Sequence, residues 1–594
     1  MRSPTAAHVL LLLAALPGFA AASLFSHPTA TLPSGQSVKG KYRDDKHTAV
    51  FHAVPYALPP LGDLRFAPPS PLPASDAEID ATSIKHMCPQ FDFTHGIHLG
   101  NEDCLHLSMY IPKNKHAGFD NKDAFPPSKP LPVLVWMFGG AFVLGDEQEF
   151  GWYNGNNLAS NEEVIIVAPN YRVGAFGFLA SEATAAEQES GTTGNYGIQD
   201  QRAALQWVQD NIAAFGGDPD DVTIFGQSAG GMSVCTLVAN PINAGLFSRA
   251  VMQSGTCNSP EFYQTRENAI AFGEVYSDIV GCDTSDGEYL ACMRGKSTGD
   301  LMYGIFKAWE LNRRKVDGTE LLLNSTGPLD ATLASWVDTL TSAYMPTLAP
   351  LMPFGPVIDG AAEGMPKLPY DALVDGTFNK VPFIMGTTSN EGSIFLPMIP
   401  AIVEGIRHLP LNADQVRLTI DHVLGPVLGP DKIEEDYEEL MKIYDINDFS
   451  SYDNQLSHIL RDYMFVCATR RAAREVTKWG VDVFMYQFNY GSRWLDFQLL
   501  GDYHTSEIYF LFDNAFPPVI HRFNREDETM AATMGDYWTT FARNGDPNGE
   551  SSAGEWAKWT PGGEEYLELN VPVIAKAKLV SDTCDFHDSM LGYS

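Results

Sequence analysis

From residue 131 onward, short apolar runs rich in β-branched residues alternate with longer amphipathic stretches. Val133-Leu134-Val135-Trp136-Met137, Val164-Ile165-Ile166-Val167-Ala168 and Val222-Thr223-Ile224-Phe225 are each ended by glycine, asparagine or proline, and each predicts a buried strand. Between the second and third, Ala204, Trp207, Val208, Ile212 and Phe215 recur at helical spacing within a polar frame. That spacing predicts an amphipathic crossover helix, stopped by Gly216-Gly217-Asp218-Pro219. Further runs at 381–386 and 481–486 extend the sheet after a long helical insertion. The alternation means an α/β fold, a mostly parallel sheet covered by helices. Residues 260–380 and 395–475 then read as elements over its carboxyl edge, where open α/β folds bind ligands.

Composition narrows the class. The 594 residues are 44% hydrophobic, enough for a large core, and neither a repeat nor a linker divides them. Asp and Glu number 74 against 39 Lys and Arg, a formal charge of −35 that repels nucleic acid and anionic membrane surfaces. Arg2, an apolar stretch over 6–16 and Ala20-Ala21-Ala22 have the layout of a secretory signal peptide cut after Ala22. The expected arrangement is therefore a signal peptide over 1–22 and one domain over 23–594, secreted to the extracellular medium. The run over 131–145 is too short to span a bilayer and the C-terminal end is polar, so no stable membrane anchoring is expected.

Eight cysteines in a secreted chain imply disulfides. Cys88 and Cys104 enclose 15 residues and Cys282 and Cys292 enclose nine, so each pair closes a local loop. The longer is worth about 3 kcal/mol on the chain-entropy account. A zinc site using His86 and His106 beside the first pair is the alternative, but single-residue spacers are unlike zinc-ligand spacing. Cys235, Cys257, Cys467 and Cys584 lie in or beside apolar stretches and are expected to be buried thiols. Asn324-Ser325-Thr326 is a glycosylation sequon.

The stretch from Val222 to Gly231 reads as strand, sharp turn and helix, with Gly226-Gln227-Ser228-Ala229-Gly230 matching GxSxG at the turn. Such a turn forces Ser228 into a strained conformation costing roughly 1 to 3 kcal/mol, and brings the flanking chains so close that only tiny residues suit positions two before and two after. A serine hydroxyl needs a base, which makes a histidine elsewhere part of the reading. Upstream, Gly139-Gly140-Ala141 follows a predicted strand. Backbone N–H groups of Gly140 and Ala141, with that of Ala229 at the helix start, are the expected oxyanion donors.

At this point the chain resembles the type-B carboxylesterase and lipase family, the cholinesterase-like α/β-hydrolases, over nearly all of its length. The resemblance rests on Phe51-His52-Ala53-Val54-Pro55-Tyr56-Ala57, Glu102-Asp103-Cys104-Leu105-His106-Leu107, Gly194-Asn195-Tyr196-Gly197, Phe215-Gly216-Gly217-Asp218-Pro219, and Tyr537-Trp538 with Gly545-Asp546-Pro547-Asn548. It implies an α/β-hydrolase fold and a Ser, Glu, His triad in that order. The matching positions are Ser228, Glu391 in Thr388-Ser389-Asn390-Glu391-Gly392, and His504 in Gly501-Asp502-Tyr503-His504. The resemblance thus implies His504 as general base and then acid, Glu391 as the group holding its tautomer, and Ser228 as the residue forming the acyl-enzyme. Without the resemblance His408, His422, His458 and His521 compete for the base, and Asp359, in a segment that matches a structural landmark of the family, is the rival acid. Glu507 either orients Ser254 or is a solvated helix-start carboxylate.

Two departures from the family stand out. Ala141 occupies the place of a third glycine, and Gln227 replaces a glutamate common beside the nucleophile; a local hydrogen-bond change with no loss of chemistry is expected. The loop between Cys88 and Cys104 is short and lacks tryptophan, with Phe91, Phe93, His95 and His98 as rim candidates or simply packing residues. A short loop implies an open gorge and a carboxylesterase acting on small-molecule esters; a triacylglycerol lipase and a catalytically inactive adhesion protein are the alternatives. No cofactor and no metal are implied, and a monomer or weak homodimer is expected.

Overall fold

The structure is a computed structural model that describes residues 27–593 apart from 44, 46, 93–96, 114–124, 259–261, 284–286, 305–351, 353, 404, 516–520 and 551. The signal segment, Asn324, Phe93 and His95 lie outside the described residues.

An eleven-stranded sheet organises the chain. Its strands are β1 (Lys41–Arg43), β2 (Thr48–Pro55), β3 (His106–Pro112), β4 (Leu131–Met137), β5 (Ile165–Pro169), β6 (Gly217–Gln227), β7 (Arg249–Gln253), β8 (Phe383–Thr388), β9 (Val483–Phe488), β10 (Glu565–Leu569) and β11 (Ile574–Ala577). In space they run β11-β10-β9-β8-β7-β6-β4-β5-β3-β2-β1. The seven from β5 to β10 are parallel, and antiparallel strands flank them on both sides. Parallel strands covered by helices on both faces bury every side chain, which is why β5, β8 and β9 are buried at every position.

The crossover segment forms helix α1 (Tyr196–Asn211) and one tighter turn over Ile212–Phe215, ended by Gly216 at φ +86°. Strand β6 begins already at Gly217, ahead of the apolar run, with an irregularity before Val222. Between β8 and β9 the chain is largely helical, including α2 (Ala413–Leu428), α3 (Tyr452–Arg461) and α4 (Cys467–Thr477). A π-helical turn, Asp462–Val466, joins the last two. Near the C-terminus, α5 (Arg525–Asn544) is capped by Asn524 and stopped by Gly545 at φ +74°, and α6 (Ser581–Leu591) follows β11. Because β5 and β6 lie on opposite sides of β4, the strand order reverses between β4 and β6, and it is at the carboxyl ends of strands at such a reversal that open α/β sheets form their ligand crevice.

The structure joins Cys88 to Cys104 and Cys282 to Cys292. It corrects the expectation of four buried thiols, because Cys235 is bonded to Cys257 and Cys467 to Cys584. Apolar flanks signal burial, and burial is equally compatible with a disulfide. The second of these bridges spans 117 positions and ties α4 to α6, a pairing that sequence spacing does not reveal. No helix among the described residues is long and apolar enough to cross a membrane.

Candidate active site

Strand β6 ends at Gln227 and helix Ala229–Ala239 starts two residues later, so Ser228 makes the whole turn. It does so at φ +58° and ψ −126°, a left-handed conformation for a residue with a side chain. Hydrogen bonds from Ser228 N to Gln253 O and from Met232 N to Ser228 O hold it there. A Cβ on Gly226 would stand 2.7 Å from Met137 O and 2.5 Å from Gly230 O, and one on Gly230 would overlap Met137 O outright. The two glycines therefore let β6, its helix and the end of β4 close on one another. Ser228 is partly exposed at the crevice.

The segment after β4 passes beside it. A Cβ on Gly139 would stand 3.2 Å from Ser228 Cβ, so this position admits no side chain without displacement. Gly140 has φ +111° and Ala141 φ +54°. Ala141 thus carries its methyl in the left-handed region, where glycine is freer. Among the described residues, no hydrogen bond uses the N–H groups of Gly140, Ala141 or Ala229, whereas Gly140 O accepts from Val143 N and Leu144 N. The turn is fixed further along by Gln90, which donates to Gly145 O at 2.9 Å and accepts from Gly145 N at 2.9 Å. The loop closed by Cys88 and Cys104 therefore docks on this segment through Gln90. Phe91 is buried and His98 exposed.

Glu391 follows β8 and His504 lies in the loop after β9, the neighbouring parallel strand. Their loops are stitched together: Asn390 and Tyr503 form a bridge, Asn390 N donates to Asp502 O, and Ser389 Oγ donates to Asp502 Oδ2 at 2.7 Å. His504 Nδ1 then meets Glu391 Oε2 at 2.5 Å, across 113 positions of sequence, with both residues buried. The other carboxylate oxygen, Oε1, accepts from Ser254 Oγ and Thr388 N, each at 2.6 Å. On its far side His504 Nε2 lies 3.2 Å from Gln227 Nε2. The rings of Phe465 and Phe395 pack against the imidazole at 4.9 and 5.5 Å between centroids, and stack on each other at 6.0 Å. Phe465 reaches that position from the π-helical turn.

The remaining candidates are occupied elsewhere. Asp359 accepts from Thr192 Oγ1, Thr193 N, Ala361 N and Met365 N. His458 Nδ1 faces Asn454 O, His521 stacks on Trp494, His422 belongs to α2, and His408 is exposed. Both readings of Glu507 are corrected. It is fully buried, and its partner is Gln253, whose Nε2 donates to Oε1 at 3.2 Å, while Ser254 serves Glu391. Burial, reinforced by the charge of Glu391, pushes the Glu507 carboxyl up to about 8. Sequence reasoning missed Phe395, Phe465 and the role of Ser254, which no local motif marks. The one hint was the phenylalanine four positions after Glu391.

A family model described as the carboxylesterase family matches residues 26–587. The cocaine esterase of Homo sapiens is 32% identical over 573 residues, covering 93% of this chain and 88% of that protein. Carboxylesterase 1E of Mus musculus is 31% identical, covering 98% of this chain and 97% of its own. Among solved structures, a PNB esterase at 27% identity aligns with a TM-score of 0.71 over 95% of this chain and 100% of that one. A Geobacillus stearothermophilus carboxylesterase, also 27% identical, aligns with a TM-score of 0.72 over 94% and 99%.

Proposed function

The chain belongs to the carboxylesterase family and is a carboxylic ester hydrolase, and on that premise we propose that it works through an acyl-enzyme formed on Ser228. Ser228 Oγ attacks the ester carbonyl carbon as His504 Nε2 takes its proton, and the carbonyl oxygen becomes an oxyanion facing the N–H groups of Gly140, Ala141 and Ala229. Collapse breaks the bond to the alcohol, which leaves with the proton from His504. Water then attacks the acyl carbon, His504 again taking and returning the proton, and the carboxylic acid departs. Glu391 stabilises the imidazolium at each stage and fixes Nδ1 as the protonated nitrogen.

The observation that carries this reading is the 2.5 Å contact between His504 Nδ1 and Glu391 Oε2, in a loop pair that also brings Nε2 to Gln227, the neighbour of Ser228. Hydrolysis of a soluble short-chain chromogenic ester by the wild type and Ser228→Ala tests it. Turnover by the variant should fall by about 10^3-fold or more, and wild-type turnover in the variant would remove Ser228 as nucleophile.

Small-molecule esters are the substrate class. A carboxylesterase is favoured over a triacylglycerol lipase because the short Cys88 loop is held by Gln90 against Gly145 instead of standing free as a lid. An acyl chain-length series separates the two. Secretion is supported by the N-terminal apolar segment and by four disulfides, and a single domain over 23–594, monomeric or weakly dimeric, with glycosylation at Asn324, completes the proposal.

A further inference from the structure

One contact at the centre of the site has no task in the reaction just described. Gln227 Nε2 stands 3.2 Å from His504 Nε2, the nitrogen that takes the serine proton. Because Nδ1 carries its hydrogen toward Glu391, Nε2 of the neutral ring presents a lone pair, and the amide N–H of Gln227 donates to it. The backbone of Gln227 is fixed. This residue is the buried last residue of β6, paired with Gln253 of β7. Its carbonyl and side-chain oxygens lie 2.9 and 3.1 Å from where a Cβ on Gly139 would stand, so the side chain is packed between the segment after β4 and the imidazole.

We propose that Gln227 is a positioning residue whose amide holds His504 Nε2 in the resting site and yields that lone pair to the Ser228 hydroxyl during attack, and that, being uncharged, it extends hydrolysis further into acid than a carboxylate at the same place would. The inference rests on the triad reading. A donor aimed at Nε2 is attractive only while that nitrogen is unprotonated; once it takes a proton, two N–H groups face each other. The amide therefore favours the neutral ring. A carboxylate does the reverse, because a negative charge at this distance favours the imidazolium by about 1 to 3 pH units.

The other charged groups around the ring leave room for this effect. Glu391 contacts Nδ1. Glu507, three residues on, keeps its proton up to about pH 8 because it is buried and close to Glu391. Arg461 is paired with Asp462 and donates to Ser389 O, and burial pushes the Asp502 carboxyl up beside Ser389. A carboxylate at position 227 would add a second negative charge directly on the imidazole, on the side opposite Glu391.

The test is kcat/KM for a soluble short-chain ester from pH 4 to 9, with product quantified by chromatography, for the wild type, Gln227→Glu and the isosteric Gln227→Met. The acid limb should move up by about one pH unit in Gln227→Glu, a roughly tenfold loss on that limb, so that the variant reaches its plateau only at correspondingly higher pH. In Gln227→Met it should move up by less. A uniform loss of rate with unmoved limbs would mark Gln227 as merely structural and overturn the inference, as would a limb that stays or moves down in either variant. A wild-type profile with no acid limb at all would instead count against a histidine base, and so against the triad reading itself.

Discussion

The carbonyl oxygen of Met137 fills the space that a methyl group on Gly230 would need. This contact couples the end of β4 to the helix that follows Ser228, so the turn bearing the hydroxyl and the segment bearing Gly140 and Ala141 form one packed unit. Gly230→Ala should therefore displace both at once. Esterase activity is expected to fall below about 1% of wild type, because a misplacement of about 1 Å can cost about 10^2-fold. Gly562→Ala, with open space around it and no left-handed φ, should keep both rate and melting temperature. Equal activity in the two variants would show that the turn tolerates a side chain.

Glu391→Gln leaves a side chain of the same shape beside His504 but removes the charge that stabilises the imidazolium. Its amide also presents a donor to Nδ1 or to Ser254, whichever oxygen it replaces. kcat should drop by about 10^3 to 10^4-fold with KM little changed, as expected when a tautomer-fixing carboxylate is lost. Steady-state kinetics with a short-chain ester decides it, and a loss confined to KM would show that Glu391 serves binding.

Phe465 packs on the imidazole from the π-helical turn, where it is also stacked with Phe395. Truncation to alanine should cost about 3 to 5 kcal/mol of stability. It should also lower kcat by about tenfold, because a base that wobbles loses alignment. Phe465→Leu retains most of the volume and should recover stability ahead of rate. Thermal unfolding and kcat measured on the same samples separate the two effects.

Buried Glu507 holds its proton in the folded protein up to about pH 8, whereas the unfolded chain releases it near the ordinary glutamate value of 4.5. Between those two values the folded state binds more protons, so stability falls as pH rises. Glu507→Gln removes the proton-binding group while keeping an acceptor for Gln253. The variant should melt a few degrees above wild type at pH 8 and level with it at pH 4. A difference that is constant with pH would mean that Glu507 does not titrate in this window.

Five of the seven parallel strands were legible because burial on both faces writes an unbroken apolar run, as in Ile165–Pro169 and Val483–Tyr486, whereas β7 and β10, with Arg249, Gln253, Glu565 and Glu568 among their few residues, were not read. Strands β2 and β3 were not read as strands, and the reason is chemical. Their buried positions include His52, His106 and Ser108, with His52 Nδ1 at 3.1 Å from Ser108 Oγ, which donates to Glu147. Burial pushes His52 down to about 3 and His106 to about 4, so both are neutral in the fold, and polarity in the sequence hid apolar surroundings. The corner at Ser228 announced itself through Gly226 and Gly230, whose absent side chains are a local requirement. Ser254, Phe465 and the Cys467–Cys584 bond depend on segments that meet only after the sheet has formed, and nothing at their own positions encodes the partner.

The bridge between Asn390 and Tyr503 has a consequence for how such a chain can change. Everything inserted between the two stitched loops leaves and re-enters the molecule at fixed points on adjacent strands. Of that stretch, the helical part ahead of α3, which carries neither Phe465, Cys467 nor strand β9, is free to be lengthened, shortened or exchanged like a cassette, reshaping what the crevice admits while the acid and the base stay docked to one another.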